Sequence, residues 1–355
     1  MAILNEEQEM LRDMAREWAT NESPVAAFRK VRNEKPAEGY STDAFATMAQ
    51  MGWTGIVIPE EFGGSDFGWM SAGLVVEELG KTLTASPLVA TTLAASVIVL
   101  GGSDEQKSMW LPKLASGEVV GTLAIDEGPR HGGKVTATVS SGKLTGTKAF
   151  VHEAHGATLF VVAAADGLYL VEKGEGVTMS DRKLTDQRSH AEVTFDGAAA
   201  ERLADGGDDL LDKVLDRARI LTSAEMLGMA NQVFDVTLDY LKQRVQFNQV
   251  LASFQALQHR MADLFADLAM MRSAVESGLE ALDGGYGIPR AACVAKAEAN
   301  RALHAMSREG IQLHGGIGMT DEYDVGFYLK RARVLEASWG SSTYLKDRFA
   351  NLAGY

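Results

Sequence analysis

The residues with the most chemical promise lie in the stretch 243–265. There a cation, Arg244, ends one helical run and the amides around Phe254 and Gln255 open the next. Phe254, Leu257, Met261, Leu264 and Leu268 recur at steps of three and four, which places them on one helix face. A guanidinium beside a helix N-terminus suits a phosphate diester. An arginine in this position equally suits helix capping or pairing with an acid, and spacing alone leaves both open. A second stretch, Gln312-Leu-His-Gly-Gly-Ile-Gly-Met-Thr320, carries three glycines in four positions after a helical run. Glycines there serve either a close backbone approach to a ligand or a plain helix C-cap. His314 within it reads as a packed or surface residue or as a base. No His or Cys pair has metal-ligand spacing, no Gly-x-Gly-x-x-Gly follows a strand, and there is no P-loop.

These stretches need a large scaffold, and 355 residues provide two or three domains' worth. The net charge of -14, from 34 basic and 48 acidic residues, argues against a nucleic-acid or anionic-membrane partner. Local arginines can still hold small anions. The single cysteine, Cys293, sits in an Ala-rich helical run; it forms no intrachain disulfide and reads as a small core residue in a reducing compartment. The N-terminus turns acidic at once, without a cationic or apolar leader, and the longest apolar run, near 94–100, is too short for a bilayer. The expectation is a soluble, cytoplasmic protein with no membrane span.

Taken in order, residues 4–20, 42–51, 70–82, 88–100 and a segment ending near 114 read as helices. A β-branched segment at 55–58 stops at the glycine-rich turn Pro59-Glu-Glu-Phe-Gly-Gly-Ser65. From about 119 to 201 come short runs rich in Val, Thr, Ile and Phe, broken by Gly, Asp and Ser every 8–12 residues or so. That is the pattern of a small barrel or sandwich. An acidic link at 201–212 leads to long helical segments at 211–243, from the opening stretch to about 282, and at 291–313, as in a helical bundle. The fold class is therefore α+β multidomain: a helical domain over 1–118, a small β-barrel or sandwich over 119–202, and a four-helix-bundle domain over 203–355.

With the elements in place, the chain resembles the acyl-CoA dehydrogenases over nearly its whole length. The resemblance rests on Pro59-Glu-Glu-Phe-Gly-Gly, Leu111-Pro-Lys-Leu-Ala-Ser before Gly117, Arg244-Val-Gln-Phe, Ser253-Phe-Gln-Ala, Gln312-Leu-His-Gly-Gly-Ile-Gly and Tyr328-Leu-Lys-Arg-Ala-Arg-Val. It implies FAD at a subunit interface, with Arg244, Phe247, Gln255, Gln312, Gly315 and Gly316 on the pyrophosphate and ADP portion of a neighbouring subunit's cofactor. It also implies an acyl-CoA substrate, with Asp216 and Arg219 along the tunnel-lining helix, a tetramer, and an electron-transfer flavoprotein as electron acceptor.

The family reaction takes a proton from the α-carbon of a thioester while the β-hydrogen leaves as hydride to the flavin, so it needs a carboxylate near Cα. In most members that base is a Glu after the closing arginine segment; here Trp339 stands in its place. In a minority it comes from the tunnel-lining helix; here that position is Ala218. The catalytic base is thus unknown. Glu225, two turns beyond Ala218 and about 10 Å along the helix, is a weak candidate, and Glu336 is a structural or exposed acid. The flavin half departs too: Ile125-Asp-Glu-Gly-Pro-Arg-His-Gly-Gly replaces the family's Thr-Glu-Pro and Gly-Ser-Asp, and Phe150-Val-His152 replaces the aromatic-Ile-Thr that meets flavin N5. The implied role is the base-lacking subunit of a hetero-oligomer. The alternatives are a self-sufficient homotetramer with an unusual base and a non-catalytic acyl-CoA-binding protein.

Overall fold

A computed structural model describes residues 3–204 and 209–355. Met1 and Ala2 of the acidic N-terminus and 205–208, the centre of the acidic link, lie outside the described residues. Packing separates two units. One gathers Met1–Val25, Gly73–Thr84 and Arg219–Tyr355; the other holds Ala26–Ala72 and Ala85–Ala218.

The second unit begins with helices α2 (Val25–Glu34) and α3 (Thr42–Gln50), after α1 (Glu6–Asn21) of the first. The 55–58 segment forms no strand; Trp53–Gly55 is a 3-10 turn, with a second at Glu60–Phe62. After α4 (Gly68–Lys81), α5 (Leu88–Gly101) is buried on nearly every side, and α6 (Asp104–Ala115) starts on a reciprocal cap between Ser103 and Gln106. The β-domain follows: β1 (Gly121–Ala124), β2 (Thr138–Ser140), β3 (Lys143–His152), β4 (Leu159–Ala164), β5 (Gly167–Glu172), β6 (Val177–Asp181), β7 (His190–Ala199) and β8 (Glu201–Arg202). They form two four-stranded sheets, ordered β1-β4-β5-β8 and β2-β3-β7-β6. Every residue of β4 is buried, and Phe160 on β4 meets Phe195 on β7 edge to face at 6.0 Å. That contact joins the inner faces of a sandwich; the strands do not close into a barrel.

The first unit is helical. Its long members are α7 (Leu210–Gln243), α8 (Gln255–Gly284), α9 (Ile288–His314), α10 (Val325–Ala337) and α11 (Ser342–Ala353). α8, α10 and α11 all pack on α9, the hub of the bundle. The end of α4 joins this unit because small residues permit backbone contact with α7. A Cβ built on Gly228 would lie 1.8 Å from the Glu77 carbonyl oxygen, and one on Gly80 would lie 2.4 Å from that of Glu225. Neither position has room for alanine unless the helices part. No helix among the described residues is long and apolar enough to cross a membrane.

Candidate functional site

At the end of α7 the chain turns through a two-residue hairpin. Strands β9 (Val245–Gln246) and β10 (Gln249–Val250) pair antiparallel, and the Leu251 amide returns to the Arg244 carbonyl at 2.8 Å. Phe247 and Asn248 both hold positive φ, 53° and 63°, as a type I′ turn demands. The turn projects Phe247, 85% exposed, and sets its ring 6.2 Å from Phe254 edge to face. Phe254 precedes α8, and no side chain caps that helix. The exposed Arg244 side chain makes no hydrogen bond or ion pair among the described residues. A free guanidinium, uncapped helix amides and an exposed aromatic are thus delivered together.

The glycine stretch reaches the same end of the bundle. His314, at the close of α9, stacks 4.5 Å from Tyr240, whose carbonyl accepts the Arg244 amide at 2.8 Å. Tyr323 also meets the imidazole at 4.8 Å and lies 6.1 Å from Tyr240, so the three rings form one cluster. Burial lowers the His314 pKa, opposed by the bond of Nδ1 to the Gly310 carbonyl at 2.7 Å. The neutral ring therefore donates from Nδ1, leaving Nε2 a buried acceptor without a partner among the described residues. His314 is a support for the turn and not an exposed base. Beyond it Gly315 takes φ +65°, and added Cβ atoms at Gly315 and Gly316 would meet open space. All six residues read as cofactor contacts are exposed: Arg244, Phe247, Gln255, Gln312, Gly315 and Gly316. They face outward.

The base positions are filled differently. Ala218 is fully buried. Trp339 is also buried and holds φ +60°, an uncommon conformation for a bulky residue. Its carbonyl accepts from Arg219 Nε at 2.9 Å, and the Arg219 guanidinium stacks on Tyr344 at 5.7 Å. Asn300 Nδ2 reaches the carbonyls of Glu336 and Gly340, both at 3.5 Å, while Lys296 Nζ donates to Leu335 O at 2.8 Å and Asn300 Oδ1 at 2.5 Å. Side chains from α7 and α9 thereby pin the loop that presents Trp339. Arg219, read from the sequence as tunnel-lining, is fully buried and engaged in this clamp, and Asp216 is buried as well.

Glu225 does not sit among apolar neighbours as its flanking residues suggest. Arg331 of α10 forks onto it, Nε to Oε1 at 2.8 Å and Nη2 to Oε2 at 3.2 Å. The carboxylate is spent on a nearly buried ion pair. That pairing gives the carboxylate a structural role, whereas a general base would need a lone pair directed at the substrate. Glu336 is held by His304 and Arg333.

Lys296 gives a pH prediction. It is fully buried, and desolvation brings its pKa from 10.5 down to about 7, against the pull of Glu336. The folded value lies below the unfolded one, so below pH 7 folding carries the full cost of a buried ammonium. That cost is relieved as pH rises from about 7 to about 10. Stability should climb over this window relative to Lys296→Met, by up to ~4 kcal/mol at about 1.4 kcal/mol per unit. Denaturation midpoints of both proteins at pH 6.5, 8 and 9.5 (chosen to span roughly that window) check this; parallel profiles would refute it.

The sandwich unit bears the other departures. The Asp126 carboxylate accepts from Gly132 N at 3.4 Å and lies 2.9 Å from His131 Nδ1. Glu127 accepts from the Thr136 and Ala137 amides at 2.8 and 2.9 Å, from the Thr136 hydroxyl, and from Lys148 Nζ at 2.6 Å. Burial opposes ionisation of Glu127, but the bonds from Lys148, Thr136 and the amides prevail and hold its pKa at about 2. Lys148 is fully buried and also donates to Ile125 O at 3.0 Å. The loop therefore satisfies its own polar groups. Phe150 takes φ +53°, and the His152 ring packs edge to face on His190 at 4.7 Å.

Comparison with known proteins decides the family. The model for the acyl-CoA dehydrogenase N-terminal domain matches residues 5–118 and that for the C-terminal domain matches 205–352. The chain belongs to the acyl-CoA dehydrogenase family. It is 33% identical over 332 residues to acyl-CoA dehydrogenase IpdE2 of Mycobacterium tuberculosis (strain ATCC 25618 / H37Rv), covering 92% of this chain and 91% of that one. The IpdE2 of Mycolicibacterium smegmatis (strain ATCC 700084 / mc(2)155) is 32% identical, covering 93% of both. Among solved structures, a variant of the Tcur3481-Tcur3483 steroid ACAD superimposes with a TM-score of 0.90 at 28% identity, covering 98% of each chain.

An acyl-CoA dehydrogenase is an FAD-dependent oxidoreductase acting on CH–CH bonds, with the flavin supplying the hydride acceptor. The Arg244 end fits a diphosphate: the guanidinium is free, the helix amides are uncapped and the glycines leave space for an approaching group. The loop at 125–137 fits a flavin less well. Asp126 adds a carboxylate to the loop, and Glu127 occupies the Thr136 and Ala137 amides. No sequence signal announced the strand pairing at 245–250, the Lys296 clamp or the Arg331–Glu225 pair. Only the Phe-Asn dipeptide at the turn hinted at the first.

Proposed function

We propose that this chain is the base-lacking subunit of a hetero-oligomeric acyl-CoA dehydrogenase. It grips the ADP portion of FAD seated in a related chain, and that chain provides the catalytic glutamate and the flavin pocket. The observation that carries the reading is Trp339 at the base position, a buried residue whose carbonyl is held by Arg219 while Asn300 holds that of Gly340. The outward-facing set Arg244, Phe247, Gln255, Gln312, Gly315 and Gly316 supports it, as does exposed apolar surface at Phe247, Val245 and Met319 (85%, 54% and 79%), which a second subunit would cover. Arg219 then organises the Trp339 side of its unit through the Trp339 carbonyl. The likeness to the Tcur3481-Tcur3483 steroid ACAD favours a two-chain assembly acting on a steroid-derived acyl-CoA. An electron-transfer flavoprotein is the acceptor this reading implies.

The test is expression alone and together with a related chain bearing the glutamate. Alone, the chain should purify colourless and oxidise no acyl-CoA. Together, the two should co-purify in equal amounts with a flavin spectrum and dehydrogenate an acyl-CoA. A yellow, fully active lone chain would sink the proposal in favour of a homotetramer with another base.

A further inference from the structure

The sandwich unit contains a cavity of about 490 Å³ between the end of α2 and the β6–β7 connection. Of the site residues described above it shares only His190, which packs on His152. Its charged lining consists of Arg32, Lys35, Arg182, Lys183 and Arg188 against one acid, Asp181, with His155 and His190 alongside. In a chain of net charge -14 this is a local inversion of sign.

Several of these groups are already satisfied. Arg188, nearly buried, donates from Nη2 to Glu153 at 2.8 Å and to Ser86 O at 3.3 Å. Arg182 pairs with Glu192. The one acid is also engaged: Asp181 Oδ1 lies 2.7 Å from His155 Nε2, and His155 Nδ1 lies 2.9 Å from Ser189 Oγ. What remains is positive. Neither the Lys35 nor the Lys183 ammonium has a hydrogen bond or ion pair among the described residues. Lys35 follows the C-terminus of α2 at φ +50°, and Gln187, also on the lining, holds φ +57°. Non-glycine residues in this conformation cost free energy that the surrounding structure must offset. The wall is not polar throughout: Val31, Pro36, Ala37 and Leu184 give it an apolar side.

From these features we infer a binding site for a small organophosphate, its anionic group between Lys35 and Lys183 and its carbon body against Val31, Pro36 and Leu184. The volume is in the ordinary range for small-ligand sites, about 300–1,000 Å³. Two unpartnered ammonium groups at one mouth favour a phosphate over a single carboxylate, because a phosphomonoester brings nearly two charges at neutral pH. The inference does not depend on the hetero-oligomer reading.

The test uses the full chain carrying Arg244→Ala, which removes the other phosphate-seeking site. Calorimetric titration with ADP at low ionic strength should show one saturable site, weakened by added salt. Inorganic phosphate should compete and adenosine should not, which places the contact on the anion. Lys35→Ala with Lys183→Ala should weaken ADP binding at least tenfold, while the Lys→Arg pair retains it. Both lysines are exposed, so an unchanged thermal midpoint will show that the alanine pair folds. Absence of saturable binding, or binding indifferent to both lysines, overturns the inference. Loss of FAD retention in the hetero-oligomer leaves it standing, so the two proposals fail separately.

Discussion

Arg244→Ala is expected to strip the assembled enzyme of FAD, weakening cofactor retention about 10- to 100-fold. The figure follows from a charge-assisted hydrogen bond of ~1.5–3 kcal/mol at 1.4 kcal/mol per factor of ten. Nothing else within the chain would register the change, since the guanidinium is exposed and has no partner among the described residues. Folding stability should therefore move by less than about 0.5 kcal/mol, the range for surface positions without special contacts. Arg244→Lys should recover only part of the affinity, because an ammonium cannot fork onto two phosphate oxygens. Flavin fluorescence released on dilution measures retention, and a denaturation curve measures the fold. An alanine variant that holds FAD as tightly as the parent would remove Arg244 from the cofactor site. A large loss of stability would make it a helix cap instead.

Arg331→Ala should cost about 3–5 kcal/mol of folding free energy, among the largest effects of any single change in this chain. The guanidinium is 8% exposed and the Glu225 carboxylate 12%, so truncation leaves a nearly buried anion without its counter-charge. Removing both charges in favour of apolar groups, Glu225→Leu with Arg331→Met, should cost far less, since the pair's attraction mainly offsets its own desolvation. Glu225→Gln alone separates structure from catalysis. If the carboxylate is structural, this variant loses stability while an assembled enzyme keeps its kcat per bound flavin. Collapse of kcat with the fold intact would restore Glu225 as a base. A double-mutant cycle on chemical denaturation midpoints gives the coupling energy directly.

How much of this was legible depended on sequence distance. The helices and the β-rich centre showed because their signals are local: apolar steps of three and four in 254–268, β-branched runs broken by glycine after 119. The Arg244 and Gln312 motifs could be read because each is contiguous. The hairpin at 245–250 was hidden by strands of two residues, shorter than any alternation can reveal. Glu225 misled for a different reason. Its neighbours in sequence, Ala224, Met226 and Leu227, are apolar, but its neighbour in space is 106 residues away. Lys296 likewise reads as one cation in an Ala-rich helix until Leu335 and Asn300 are seen to surround it. The positive φ of Trp339 has no sequence signature, for tryptophan does not favour that conformation.

The backbone crossing at Gly80 and Gly228 sets how this helical unit answers force. Where side chains separate two helices, a small push is absorbed by rotamers, and one helix can shift while the other stays. Here the Glu77 and Glu225 carbonyls lie where side chains would otherwise be, so no soft layer intervenes. Residues 77–80 and 225–228 are thus welded into a single lever. The salt link from Arg331 to Glu225 and that from Arg272 to Glu77 attach α10 and α8 to that lever. A displacement at either contact is therefore passed to both helices with no side-chain layer at the crossing to absorb it.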